Sequence, residues 1–151
     1  MKKIISTANA PVAIGPYAQA NMAGGVLYIS GQIPVEPASG KVVEGIEKQT
    51  HQVMKNLEAI LSEADMSFKN VVKATIFLKN MDDFAMMNDI YASYLNPECY
   101  PARETVHAAA RAANCSTKGC VWCSGGRAAT PARTWPTRTA TSSSRSARCW
   151  T

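Results

Sequence analysis

The chain has 151 residues, 46% of them hydrophobic, which is enough for one domain with a real core. Its formal charge of +5 is unevenly spread: residues 1–106 carry nine cations against eleven acids, a net of −2, while residues 107–151 carry six arginines, Lys118 and no acid, a net of +7. No run approaches the ~18 apolar residues of a membrane span, and Met1-Lys2-Lys3-Ile4-Ile5-Ser6 is not followed by the apolar stretch of a secretory leader, so the expectation is a cytoplasmic protein with reduced thiols.

Taken in order, Lys3 to Thr7 reads as a short strand, and Gly15-Pro16 punctuates the loop that follows it. Tyr17 to Met22 alternates like a strand, Gly24-Gly25 is a turn, and Val26 to Ser30 is rich in branched and aromatic residues, so the pair reads as a hairpin. Gly31 ends it, where a backbone without a Cβ admits close approach of a ligand or another chain. A proline-marked loop runs to Gly40. From Glu44 to Ala64 the period becomes helical: Ile46, Val53, Leu57, Ile60 and Leu61 recur on one side, with Thr50 and Met54 on the same flank. His51 lies towards the polar side and is expected to be a solvated helix residue. Asp65-Met66-Ser67 breaks the helix, and Val71 to Leu78 is the strongest strand pattern of the chain. Asp82 is the expected N-cap of a second helix, whose apolar stripe is Phe84, Met87, Ile90, Tyr91, Tyr94 and Leu95.

The order β-β-β-α-β-α, followed by a strand through Arg103, predicts an α+β sandwich with two helices on one face of a mixed sheet. A sheet covered on one side only leaves its other face needing a partner, which predicts an oligomer. Arg103 is the one arginine among residues 1–106. Placed behind Pro101 and opening a Thr-Val run, it offers a planar two-pronged donor to a carboxylate; the plain alternative is a surface arginine paired with Glu44 or Glu47.

Several spaced motifs agree with one known family. They are Gly15-Pro16-Tyr17-Ala18-Gln19-Ala20, Ile29-Ser30-Gly31-Gln32-Ile33-Pro34, Asn56-Leu57, the Val72 to Leu78 strand, Asp83-Phe84, Met87-Asn88, Tyr91 and Pro101-Ala102-Arg103. Over residues 1–106 the chain resembles the RidA (YjgF) family. The resemblance implies a chorismate-mutase-like fold and a homotrimer with its sites in the clefts between subunits. It implies hydrolysis of reactive 2-imino or enamine acids, such as 2-iminopropanoate and 2-iminobutanoate, to 2-keto acids and ammonia, with no metal and no organic cofactor. By position, Arg103 would hold the substrate carboxylate, the backbone N–H groups of Gly31 and Thr105 would meet its oxygens, and Tyr17, Ser30 and Asn88 would line the cleft. Such sparse equipment suits the reaction, because an imine carbon is already electrophilic and positioning with one oriented water suffices.

Beyond Val106 the resemblance stops. Members of the family continue with an alternating Val-Ala run and a last strand whose glutamate orients the attacking water. Here residues 107–151 contain no Ile, Leu, Met, Phe, Tyr, Asp or Glu, but hold all three tryptophans and runs such as Thr139-Ala140-Thr141-Ser142-Ser143-Ser144. This segment reads as a disordered, basic low-complexity tail produced by a frame change near codon 107, leaving a RidA-like domain over 1–106 without the family's last strand. Cys120-Val121-Trp122-Cys123, with Cys115 and His107 upstream, invites a zinc reading, but the spacing fits no compact finger. The tail's cations and tryptophans would bind nucleic acid only nonspecifically.

Two further functional readings stand beside the deaminase. One is a trimeric binder of small 2-keto or amino acids with a regulatory role and no turnover. The other is a translation inhibitor or ribonuclease-like activity, for which the net charge of −2 and the lack of a basic stripe over residues 1–106 offer little.

Overall fold

The computed structural model of the chain describes residues 1–108 and 119–127. Among these residues six strands form one sheet: β1 (Lys3–Ile5), β2 (Ala20–Ala23), β3 (Val26–Ile29), β4 (Lys73–Leu78), β5 (Ala102–His107) and β6 (Gly119–Arg127). Their spatial order is β1-β2-β3-β6-β4-β5. All pairings are antiparallel except β4 with β5, which run parallel. Two helices, α1 (Ile46–Glu63) and α2 (Phe84–Ser93), complete the α+β arrangement that the element order predicts.

The alternation of each strand decides which side is covered. Leu27 and Ile29 of β3 and Ala74, Ile76 and Leu78 of β4 are buried in one cluster with Val53, Leu57, Ile60 and Leu61 of α1 and Met87 and Tyr91 of α2. Both helices therefore pack on one face. On the other face, the register sets Ile4, Asn21 and Tyr28 in one row across β1, β2 and β3. There Ile4 and Tyr28 remain exposed, and the Asn21 side-chain oxygen is buried without a partner.

Three details differ from the sequence reading, each for a physical reason. Asp82 does not cap α2. Asn80 instead accepts the backbone N–H of Asp82 at 3.2 Å, capping a 3-10 turn over Met81–Asp83 that leads into the helix. His51 is not simply solvated, since its Nδ1 lies 2.8 Å from the Tyr94 hydroxyl and ties α1 to the end of α2. Burial and the nearby Glu58 carboxylate raise the pKa of that tyrosine. Within the segment expected to be an unstructured tail, the backbone of Gly119–Arg127 runs as a strand between β3 and β4. It enters the sheet by main-chain pairing with both neighbours.

The ends of α1 follow from its flanks. It begins after Gly45, whose φ of 85° favours glycine, and ends with Asp65 at φ 56°. There Met66 N–H bonds back to Leu61 C=O and Asp65 N–H to Ser62 C=O, the paired closure of a Schellman motif.

Buried amides fasten the loops to this frame. Gln19 accepts from Thr7 N–H and donates to the carbonyls of Thr7, Ala10 and Pro11. Gln49 donates to Val43 C=O at 2.9 Å. Asn56, fully buried, donates to the carbonyls of Ile33 and Val35, both at 3.1 Å, and accepts from Gln52. The buried arc of α1 is thus wider than its apolar stripe, because Gln49 and Asn56 turn inward to serve loop carbonyls.

Replacing Asn56 by Ala would strand the Val35 carbonyl and remove one of two donors to Ile33 C=O, which also accepts Val35 N–H at 2.8 Å. We expect a loss of about 1–3 kcal/mol, seen as a lower urea midpoint with an unchanged slope. A cost below about 0.5 kcal/mol would show that water replaces the amide.

Candidate functional site

Strand β5 places Arg103, and its parallel register with β4 decides the direction. Arg103 stands opposite Ala74 and Glu104 opposite Thr75. Ala74 is buried beneath the helices, so Arg103 rises on the helix-covered face at the edge of the sheet, where α2 lies. Its Nη1 donates to Asn88 Oδ1 at 2.7 Å. Its guanidinium carbon lies 5.5 Å from the centre of the Phe84 ring and 5.2 Å from that of Tyr91. These three partners are spaced i, i+4 and i+7 along α2, which puts them on one stripe of the helix. A guanidinium has five N–H donors, and one is committed to Asn88. The arginine side chain remains solvent-exposed, so it presents an open edge rather than a buried charge.

Arg103 makes no ion pair with Glu44 or Glu47; among the described residues the ion pair is Lys73 with Glu104, 3.3 Å apart. Glu104 Oε1 also accepts the Thr75 hydroxyl at 2.7 Å. The hydroxyl first, then the hydrogen bond and charge of Lys73, hold its pKa below the usual glutamate range. The alternation of the strand therefore sends Arg103 and Glu104 to opposite faces. Thr105, back on the Arg103 face, has a buried hydroxyl oxygen with no partner.

The remaining expected site residues form a second group. Tyr17 is exposed in the loop before β2, its N–H bonded to Gly15 C=O at 2.8 Å. A Cβ on Gly15 would come within 3.3 Å of the Tyr17 ring, so glycine makes room for that ring. Ser30 donates its hydroxyl to Ala18 C=O at 2.7 Å and its N–H to Gln19 C=O, locking the end of the hairpin. Gly31 follows it and is exposed; a Cβ there would meet nothing within 4 Å among the described residues.

The two groups are apart. Between β3, which ends beside Ser30, and β5, which carries Arg103, lie β6 and β4. Three strand spacings amount to about 14 Å, beyond the reach of side-chain contact. One chain thus joins Arg103 to Asn88, with Thr105 next along the same face of β5, while Tyr17, Ser30 and Gly31 stand elsewhere. The sequence did not single out Phe84 and Tyr91 as site residues; their spacing from Asn88 was the available signal, but it is equally that of a core stripe.

Among the described residues no group of three or more His, Cys, Asp or Glu side chains is placed to hold a metal ion, and no helix is long and apolar enough to cross a membrane. The zinc reading of His107, Cys115, Cys120 and Cys123 cannot be traced, since Cys115 lies outside the described residues. His107 Nε2 is within 3.0 Å of Lys79 C=O.

The family described as Endoribonuclease L-PSP matches residues 7–116. The chain belongs to the RidA (YjgF) family. Among RidA-family relatives, a RutC family protein of Pyrococcus horikoshii is 51% identical over 107 residues, covering 70% of this chain and 84% of the relative. A Bos taurus protein named 2-iminobutanoate/2-iminopropanoate deaminase is 45% identical over 111 residues, covering 73% of this chain and 80% of the relative. The crystal structure of the Rid family protein YyfA from Yersinia pestis superposes with a TM-score of 0.79 at 44% identity, covering 83% of this chain and 99% of that one. The RidA-type fold expected from the sequence is therefore the fold observed. The family match also runs ten residues past Val106, to residue 116.

Because the folded state holds Glu104 at a lowered pKa, its contribution to stability is complete above the ordinary glutamate pKa and is lost as pH falls through the folded value. In urea titrations between about pH 7 and pH 3, Glu104→Gln is expected to flatten the acid side of the stability profile and leave its neutral side nearly level. An unchanged acid limb would show that the Thr75 and Lys73 partners hold no charge there.

Proposed function

We propose that the chain is a cytoplasmic hydrolytic deaminase that converts small 2-imino acids, such as 2-iminopropanoate and 2-iminobutanoate, to 2-keto acids and ammonia, in a homotrimer. The observation that carries this reading is the Arg103 guanidinium, held by Asn88 yet open at its outer edge. A planar donor in that state fits the carboxylate of a small acid through two parallel bonds. The name of the cattle relative supports the choice of imino acids.

The separation of the two residue groups supports a site assembled from two copies. Arg103, Asn88 and Thr105 of one copy would face Tyr17, Ser30 and Gly31 of another. Gly31, uncrowded among the described residues, is suited to backbone approach by a substrate oxygen. The uncovered sheet face, with Ile4, Tyr28 and Val106 exposed, supplies apolar area for the trimer.

In the proposed reaction Arg103 holds the carboxylate, which fixes the imine carbon in the cleft. Water adds across the C=N bond, its oxygen to carbon and one proton to nitrogen; the proton of the new hydroxyl then passes to nitrogen as the C–N bond breaks, C=O forms and ammonia leaves. Placement of the carbon accounts for the rate gain within reach of these residues. The reaction as proposed draws on no cofactor.

One observation favours a second reading, binding of 2-keto or amino acids without turnover. No acidic residue follows Glu104, and Glu104 faces Thr75 and Lys73 on the opposite side of the sheet from Arg103. Glu104 is therefore not placed beside Arg103 to accept the water's proton.

The test is release of keto acid from an imine generated in situ by a pyridoxal-phosphate-dependent dehydratase. Arg103→Ala is expected to lower kcat/KM at least about 100-fold, the loss of two charge-assisted hydrogen bonds. Arg103-dependent binding of 2-oxobutanoate with no turnover above the buffer rate would select the second reading. Light scattering should give three times the 16.2 kDa chain mass, and a monomer would remove the shared cleft.

A further inference from the structure

The arginine is held by more than its hydrogen bond. Phe84 and Tyr91 both lie within cation–π range of it, at 5.5 and 5.2 Å, on either side of Asn88 in the α2 sequence. We propose that Phe84 and Tyr91 are positioning residues that fix the Arg103 guanidinium before any ligand arrives; this rests on the carboxylate-binding reading above.

The physical case begins with the freedom of the side chain. An exposed arginine samples many rotamers, and a ligand must otherwise remove that freedom on binding. Guanidinium is weakly hydrated and lies readily against aromatic faces, so two rings hold it without consuming N–H donors. The one donor that is consumed goes to Asn88, which sets the rotation of the group. Four N–H groups then remain for a carboxylate. The rings are themselves anchored: Tyr91 is 6% exposed within the core cluster and Phe84 packs against that cluster. The stripe Phe84–Asn88–Tyr91 is therefore a pre-set cradle on a rigid helix, and it acts on substrate only through Arg103. Lysine, a compact point charge without a planar face, would lose both the ring contacts and the two-pronged grip.

The cradle can be tested apart from activity. In protein labelled with nitrogen-15 at its seven arginines, the Arg103 side-chain resonance, assigned by its loss in Arg103→Lys, should be displaced upfield by the two rings. That displacement should shrink in Phe84→Leu and in Tyr91→Leu and persist in Tyr91→Phe. A resonance at the position of an unrestrained arginine, or one unmoved by either leucine variant, overturns the proposal. In the imine assay, Phe84→Leu should raise KM roughly three- to tenfold with kcat within about twofold, and the increase should vanish in an Arg103→Lys background. A fall in kcat at constant KM also overturns it. Should Tyr91→Leu fail to fold, Phe84→Leu decides, since Phe84 is only partly buried. If the unaltered protein turns over no imine, the deaminase reading fails and the resonance of Arg103 alone decides the cradle.

Discussion

The two-residue period of β5, locked in parallel register to β4, governs the chemistry of this molecule. Because Ala74 faces the helices, its neighbour Arg103 must also do so, and Glu104 must face away with Thr75. A slip of one residue would exchange them, burying a carboxylate's worth of charge under α2 and presenting the guanidinium to the uncovered face. The separation sends Glu104 to the opposite face, and among the described residues Arg103 makes no ion pair. An arginine so placed is available to an anion from outside.

A second constraint is the use of polar side chains as internal fasteners. Gln19, Gln49 and Asn56 are buried where they donate to loop carbonyls at positions 7–11, 33–35 and 43. These loops include or adjoin Gly15, Tyr17 and Gly31. The frame that holds the loops is thus continuous with the core, and the loop geometry inherits the rigidity of α1 and the hairpin. Here the polar interior serves the placement of backbone as much as overall stability.

Some of this was legible without coordinates. The hairpin around Gly24-Gly25, the helix across Ile46 to Leu61 and the strand ending at Leu78 announced themselves through period and turn chemistry. Asp82 misled, because a capping residue is judged from sequence by type and Asn80 satisfies the same rule two positions earlier. Asn56 and Gln49 looked like the polar edge of a helix; only the loops folded over them make the inward amide favourable. The strand over Gly119–Arg127 was not read from the sequence; its main chain pairs with β3 and β4, a relation between residues far apart in the chain.

What the sequence by itself determined was the set of elements, the family, and the single arginine among its first 106 residues. Those follow from local period, residue type and motif spacing, which the chain carries along its length. Tertiary structure decided which way Arg103 faces, that Phe84, Asn88 and Tyr91 surround it, and that Ser30 and Gly31 stand about three strand spacings away. Those are relations between residues distant in sequence, and they exist only once strand register and helix docking have fixed the faces.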